Sequence, residues 1–339
     1  MNNYKNSIVN KLVKLKQGSG SHSPSVKEIE TIAGRKLIEI DACFLSNPYA
    51  SELLFNSNLS KNINENLFRI LESYPPNQDY ILEMIKKIEG INPNNSIVMS
   101  GAQNCIELIL SNLDYKNCLL PIPTYSSYYE SIKPNSYVHY FMLNSGNDFE
   151  IIEDELKEEI TRLSIDLLIL INPNNPTGAK VSSKLIYNLL NSFPELKIII
   201  DESFIHFSND YDNWKTKKLE LLSNKNTFFI KSMSKDFGIA GLRIGFMETQ
   251  NDIIYDLKNR FGTWSINNLA VELISIISET SFLSDYEIVR KKYLRDKDIF
   301  YQKLLSIDNL EVFPSDANFF LLRMQKNVKN GYEFIMNLL

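Results

Sequence analysis

Six short apolar runs, set apart by stretches with helical spacing, restrict this chain more than any other feature of its sequence. They are IVMS (97 to 100), CLLPIP (118 to 123), YVHYFM (137 to 142), DLLILIN (166 to 172), LKIIID (196 to 201) and TFFIK (227 to 231). Several are apolar throughout instead of alternating, as strands covered on both faces must be. The pattern predicts an α/β fold, three layers α/β/α, around a mostly parallel sheet. The intervening stretches read as helices. Ile81, Met84, Ile85 and Ile88 share a face closed by Gly90; Ile106, Leu108, Ile109 and Leu110 suit another; Ser182 or Ser183 caps one that buries Leu185, Ile186, Leu189 and Leu190.

In such sheets ligands bind beyond the carboxyl ends of the strands. Polar, aromatic or glycine-rich residues stand there: SGAQN after IVMS, PTYSSYY after CLLPI, NPNNPTG after LLILI, DESF after KIII and SMSK after FFIK. With 339 residues, 44% of them hydrophobic, a large core and two domains are expected. The net charge of −5 comes from 36 basic and 41 acidic side chains interspersed along the chain, which argues against a nucleic acid partner. Cys43, Cys105 and Cys118 lack zinc-site or disulfide spacing, which suits a reducing cytoplasm. No apolar run approaches the roughly 20 residues that span a bilayer, so no membrane association is expected. Ile8, Val9, Leu12, Val13 and Leu15 predict a short N-terminal helix packed on its own protein, followed by a polar linker, QGSGSHSPS.

The segment SMSKDFGIAGLRIGF (232 to 246) gathers Ser232, Ser234, Lys235 and Arg243. A partly desolvated lysine at the end of a buried strand has its amine available to form an imine with an aldehyde. Two hydroxyls and a guanidinium suit a phosphate monoester, and Gly101-Ala102-Gln103 adds backbone donors at a helix N-terminus. An aldehyde and a phosphate on one small molecule point to pyridoxal 5′-phosphate. Its ring nitrogen needs a carboxylate, for which Asp201 is placed; its phenolic oxygen needs a donor, Asn175; its ring face needs an aromatic, Tyr125. Each has a plainer alternative: Asp201 as a helix cap, NPNNPTG as a turn-rich loop, Tyr125 as core.

In their order NPNNPTG, DESF and SMSKDFGIAGLRIGF resemble the fold type I, class I/II aminotransferases that depend on pyridoxal phosphate. The resemblance runs from NPYA (47 to 50) to ANFFLLRM (317 to 324), and SNPYA, SYPPNQDY, PTYSSYY and SDANFFLLR are similar to the histidinol-phosphate aminotransferase and threonine-phosphate decarboxylase branch. It implies that Lys235 binds the cofactor aldehyde and shuttles protons. It also implies that Asp201 holds the pyridinium and Asn175 the phenolic oxygen. Ser232, Ser234, Arg243 and the Ala102-Gln103 backbone hold the phosphate, and Tyr125 stacks on the ring. Tyr74 is expected to reach the neighbouring protomer's cofactor phosphate in a homodimer with shared active sites. The domains implied are an N-terminal arm with part of the small domain (1–50), a large cofactor domain (51–263) and a small C-terminal domain (264–339).

The function this implies is a cytoplasmic aminotransferase, passing an amino group between an amino acid and a keto or aldehyde acceptor, with a phosphorylated amine as one substrate. The same scaffold also carries decarboxylases and lyases, because the bond that breaks is the one held perpendicular to the ring; a third reading is a non-catalytic protein that keeps the cofactor as a ligand. Two departures stand out. Phe204 replaces a tyrosine whose hydroxyl bonds the phenolic oxygen in many relatives, which raises the expected pKa of the imine; His206 beside it is read as structural. The sequence ends at GYEFIMNLL, where the family it resembles continues into a tail with a carboxylate-binding arginine, so the expectation is either a longer natural chain or a carboxylate held differently; Arg323 is not that position. Arg260, Trp264 and Asn267 are candidates for the pocket mouth or, equally, for helix and core.

Overall fold

The computed structural model describes residues 2–18, 24–39, 43, 45–57 and 59–324. The chain divides into two units, Met1–Leu45 and Ser46–Leu339. The first holds the expected N-terminal helix, Asn2–Gly18, and the helix Val26–Ala33. Ser25 opens the second of these with a capping box to Glu28, and Gly34, in the left-handed region at φ 69°, closes it. Residues 19–23 of the expected linker lie outside the described residues.

In the second unit every predicted strand forms. The sheet contains β1 (Ser96–Met99), β2 (Asn117–Ile122), β3 (Tyr137–Met142), β4 (Leu167–Ile171), β5 (Lys197–Asp201), β6 (Thr227–Ser232) and β7 (Gly245–Glu248), in the order β1-β7-β6-β5-β4-β2-β3. Pairing is parallel from β6 through β5, β4 and β2 to β3. Only β7 runs antiparallel, against β6 on one side and β1 on the other. A small separate sheet pairs β8 (Leu310–Val312) with β9 (Leu322–Met324).

Alternate side chains of the central strands enter two different cores, which is why the runs carry no polar face. Leu167, Ile169 and Ile171 pack with Cys105, Ile106 and Ile109 of the helix Ala102–Asn112 and with Ile254 and Leu257 of Ile253–Phe261. Leu168 and Leu170 pack on the other face with Leu156 and Ile160 of Glu153–Arg162, with Leu185, Ile186 and Leu189 of Ser183–Ser192, and with Trp214 of Tyr211–Leu222. Ser182, not Ser183, caps the helix after β4, accepting from Leu185 N. A third core joins the helices Pro48–Asn56, Gln78–Glu89 and Asn268–Ile277 to Met233, Phe237, Ile244 and Phe246 around the end of β6. None of the helices among the described residues is long and apolar enough to cross a membrane.

Candidate active site

Because β1 to β6 all point the same way, their carboxyl ends share one edge of the sheet, and the antiparallel β7 starts there. Asp201 is the last residue of β5 and is buried. Ser203 N donates to its Oδ1 (2.9 Å) and Tyr128 OH to its Oδ2 (2.9 Å). Burial pushes the Asp201 carboxyl above its ordinary range even though both donors oppose the rise, and Glu202 beside it adds to the rise. Burial, then the Asp201 charge, lifts the Tyr128 hydroxyl well above the usual tyrosine value. Ser203 also accepts from Ser232 N (3.0 Å), and Ser232 Oγ accepts from Ser234 N (3.2 Å). One hydrogen-bonded line thus runs from Tyr128 through Asp201 to Ser234.

Lys235, partly buried, follows directly. Its carbonyl accepts from Asn47 N (3.0 Å), the residue that caps the helix Pro48–Asn56. Gly238 permits this close packing: a Cβ there would lie 1.9 Å from Ser51 Oγ and 2.6 Å from the Asn47 carbonyl oxygen.

The phosphate-type groups converge through β7. Gly245 pairs with Met99 of β1 and with Ser232 of β6, and a Cβ on it would lie 2.3 Å from Ala102 N. Gly101, at φ 90°, opens the helix Ala102–Asn112 with no side-chain cap, so the backbone donors of Ala102 and Gln103 are left to another acceptor. The Arg243 guanidinium lies against Gly101; a Cβ on this glycine would be 2.5 Å from its Nη2. Ser234 Oγ, buried, has no hydrogen-bond partner among the described residues.

Asn175 sits partly buried on the loop after β4. Asn174 ties that loop to the one after β2, its Nδ2 reaching Pro123 O (3.0 Å) and Thr177 Oγ1 (2.9 Å), and Asn172 N donates to Asp201 O (2.7 Å). Tyr125 packs on the core that includes Ala102 and Tyr128. Tyr74 is not drawn into this group within the single chain. It is 76% exposed and stacks on Trp264 with ring centroids 4.4 Å apart.

The remaining candidates have other work. Asn267 caps Asn268–Ile277 by accepting from Ala270 N, and exposed Arg260 reaches Asn112 Oδ1 (3.5 Å). Arg323 is held in a fork by Glu311 (2.6 and 2.8 Å). The final segment, GYEFIMNLL, lies outside the described residues. Buried Phe204 packs edge-on against Phe319, ring centroids 5.1 Å apart. Buried His206 has Nδ1 within hydrogen-bond distance of Tyr286 OH (2.8 Å).

Two participants escape a reading of the sequence. Tyr128, one of three tyrosines in PTYSSYY, carries no local signal that separates it from Tyr125. Asn47 is visible only as part of NPYA.

The residues fit pyridoxal 5′-phosphate. The unpartnered Ser234 hydroxyl, the uncapped helix start and the Arg243 cation form an anion cradle at one end. At the other, Asp201 is a buried carboxylate whose donors among the described residues are neutral, which suits a protonated ring nitrogen.

Comparison with known proteins agrees. Residues 47–334 match the family model of aminotransferase class I and II. The chain is similar to an L-serine phosphate decarboxylase of Campylobacter jejuni, 34% identical over 96% of this chain and 84% of the relative. It is also similar to the solved structure of a decarboxylase from Sulfurospirillum multivorans, with a TM-score of 0.83 and 34% identity over 95% of this chain and 86% of that one. A histidinol-phosphate aminotransferase of Archaeoglobus fulgidus is 29% identical over 79% of this chain and 75% of the relative. The fuller matches overturn the expectation of an aminotransferase with a keto or aldehyde acceptor. That expectation rested on cofactor-binding motifs common to both chemistries. The bond that breaks depends instead on how the substrate is turned on the ring, which those motifs do not encode.

Proposed function

The chain belongs to the aminotransferase class I and II family and uses pyridoxal 5′-phosphate, and from that premise we propose that it decarboxylates a phosphorylated amino acid of the L-serine phosphate type. The observation that carries this reading is the match to an L-serine phosphate decarboxylase along 96% of the chain. The overall reaction would release carbon dioxide from O-phospho-L-serine, take up one proton at Cα and leave O-phosphoethanolamine.

When bound, the cofactor supplies an aldehyde that takes an amine and a protonated ring that accepts the electron pair left by the departing carboxylate. In this reading Asp201 keeps the proton on the ring nitrogen. Its burial supports the role, since the charge is costly without a cation beside it. Asn175 donates to the phenolic oxygen and Tyr125 covers the ring face. Ser232, Ser234, Arg243 and the Ala102 and Gln103 amides grip the phosphate. The Lys235 Nζ holds the cofactor until substrate arrives, then delivers a proton to Cα once carbon dioxide has gone.

A homodimer is part of the proposal. Phe68 and Leu71 on the helix Leu59–Glu72, like Tyr74 beyond it, are each 76% exposed, and Trp264 stacks on Tyr74. A run of large apolar side chains facing water suits contact with a second copy, with Tyr74 as the residue that reaches the partner's phosphate. The split at about residue 263 into a cofactor domain and a smaller one also stands as a proposal, supported by the separateness of the β8–β9 sheet. The test is product analysis with O-phospho-L-serine, O-phospho-L-threonine and unphosphorylated L-serine. Amine formed only from the phosphorylated substrates supports the reading; amine from none of them refutes it.

A further inference from the structure

Beneath the segment that carries Ser232, Ser234 and Lys235 lies a buried cluster of charges that this function does not use. Lys231 and Asp236 flank the segment in sequence, and both side chains turn into the core, 1% and 0% exposed. Lys231 Nζ stands 3.1 Å from Asp236 Oδ2 and 3.0 Å from Glu89 Oε2. His206 completes the group, Nε2 3.4 Å from Glu89 Oε2 and Nδ1 3.4 Å from Asp236 Oδ2. Glu89, His206 and Asp236 are close enough to share a metal ion, but the Lys231 ammonium already occupies the position of the cation.

We infer that the Lys231–Asp236 ion pair is a clasp that closes the loop bearing Ser232, Ser234 and Lys235, making Asp236 a positioning residue for Lys235. This inference rests on the cofactor roles proposed above. The backbone of the segment is bound on all sides: Met233 N donates to Ile244 O, Phe237 N to Met233 O, Ile239 N to Ser234 O and Asn47 N to Lys235 O. These bonds fix the course of the loop, while the clasp fixes its two ends relative to each other. Asp236 makes no aligned hydrogen bond among the described residues; the Lys231 ammonium at 3.1 Å and the His206 ring at 3.4 Å are its partners, and burial holds its pKa above the ordinary aspartate value although both oppose the rise. Burial works against the charge of Lys231 and against that of both its carboxylate partners. Even so, Asp236 and Glu89 keep Lys231 above the ordinary lysine range, and Lys231 with His206 keeps Glu89 well below the carboxylate range.

Charge balance shows which variants separate the clasp from simple stability. Asp236→Asn opens the clasp yet leaves Lys231 and Glu89 as a one-to-one pair. Glu89→Gln removes the other carboxylate and leaves the clasp closed. The dissociation constant for pyridoxal 5′-phosphate, and the fraction of bound cofactor that borohydride fixes on Lys235, are measured for both variants and for the wild type. Asp236→Asn is expected to weaken cofactor binding about tenfold, because re-ordering even one loop residue on binding costs roughly that factor. Its labelling of Lys235 should fall at saturating cofactor, while Glu89→Gln stays close to the wild type in both. Unchanged affinity and labelling in Asp236→Asn would overturn the inference, and so would equal losses in the two variants. If Asp236→Asn does not fold, Lys231→Met/Asp236→Asn opens the clasp while Glu89 keeps His206 as its partner, and the same readouts decide. A wild type that fails to bind the cofactor would strike the reading of the site itself and not the clasp.

Discussion

Replacing Asp201 by asparagine should remove a pH dependence from stability and weaken cofactor binding. In the cofactor-free chain Asp201 is buried, with Ser203 N and Tyr128 OH as donors, and burial holds its pKa above the ordinary 3.8. Between 3.8 and that raised value the folded chain keeps a proton that the unfolded chain has lost. The stability due to this group is therefore whole at low pH and declines by about 1.4 kcal/mol per pH unit as pH rises through the window. The asparagine side chain does not titrate. Its Oδ1 can still accept from Ser203 N, while its amide faces the Tyr128 oxygen and the buried Tyr128 hydroxyl gives up its acceptor, a cost of about 1–3 kcal/mol that is the same at every pH. The stability of the cofactor-free variant should then lack this decline, so that relative to the wild type it gains up to about 1.4 kcal/mol per pH unit, roughly 2 °C in Tm for a chain of this size, as pH rises through the window. Cofactor affinity should fall about 10- to 100-fold, the worth of a hydrogen bond to a charged partner. Thermal scans of both cofactor-free proteins upward from about pH 3, below the unfolded-chain value, with cofactor titrations alongside, make the comparison. A variant whose stability falls with rising pH just as the wild type's does, or equal cofactor affinities, would refute the reasoning.

Two further substitutions probe the phosphate end. Ser234→Ala should leave the cofactor-free Tm nearly unchanged, because the hydroxyl has no hydrogen-bond partner among the described residues to lose, yet weaken cofactor binding about fivefold, as loss of one hydrogen bond implies; calorimetry and titration check it. Gly245→Ala would drive a Cβ against backbone atoms of Gly101 and Ala102 at 2.5 and 2.3 Å. It should cost about 3 kcal/mol or more, seen as a lower urea midpoint, because strand and helix start must separate.

The sheet is legible in the sequence because its code is local. An apolar run such as LLILI followed by a polar loop states both a strand covered on two faces and the side where ligands meet. Most of the residues proposed for the cofactor are legible for the same reason, lying just past such a run, whereas Arg243 precedes β7 and Tyr74 follows a helix. What stays hidden depends on partners distant in sequence. The strand Gly245–Glu248 lies partly inside a motif that reads as chemistry, and its antiparallel course is set by pairing with β1 and β6, the first of them far away in the chain. Glu89 and Lys231 look like ordinary surface charges until the fold buries them together. His206 reads as structural, and its bond to Tyr286 shows what it supports. The choice between amino transfer and decarboxylation is illegible for a further reason: the motifs describe how the cofactor is gripped, and both reactions grip it alike.

The most direct test of the account supplies the cofactor-loaded protein with O-phospho-L-serine labelled at its carboxyl carbon. The account predicts labelled carbon dioxide and O-phosphoethanolamine in equal amounts. Label retained in a keto acid, with the amino group transferred to the cofactor, would contradict it.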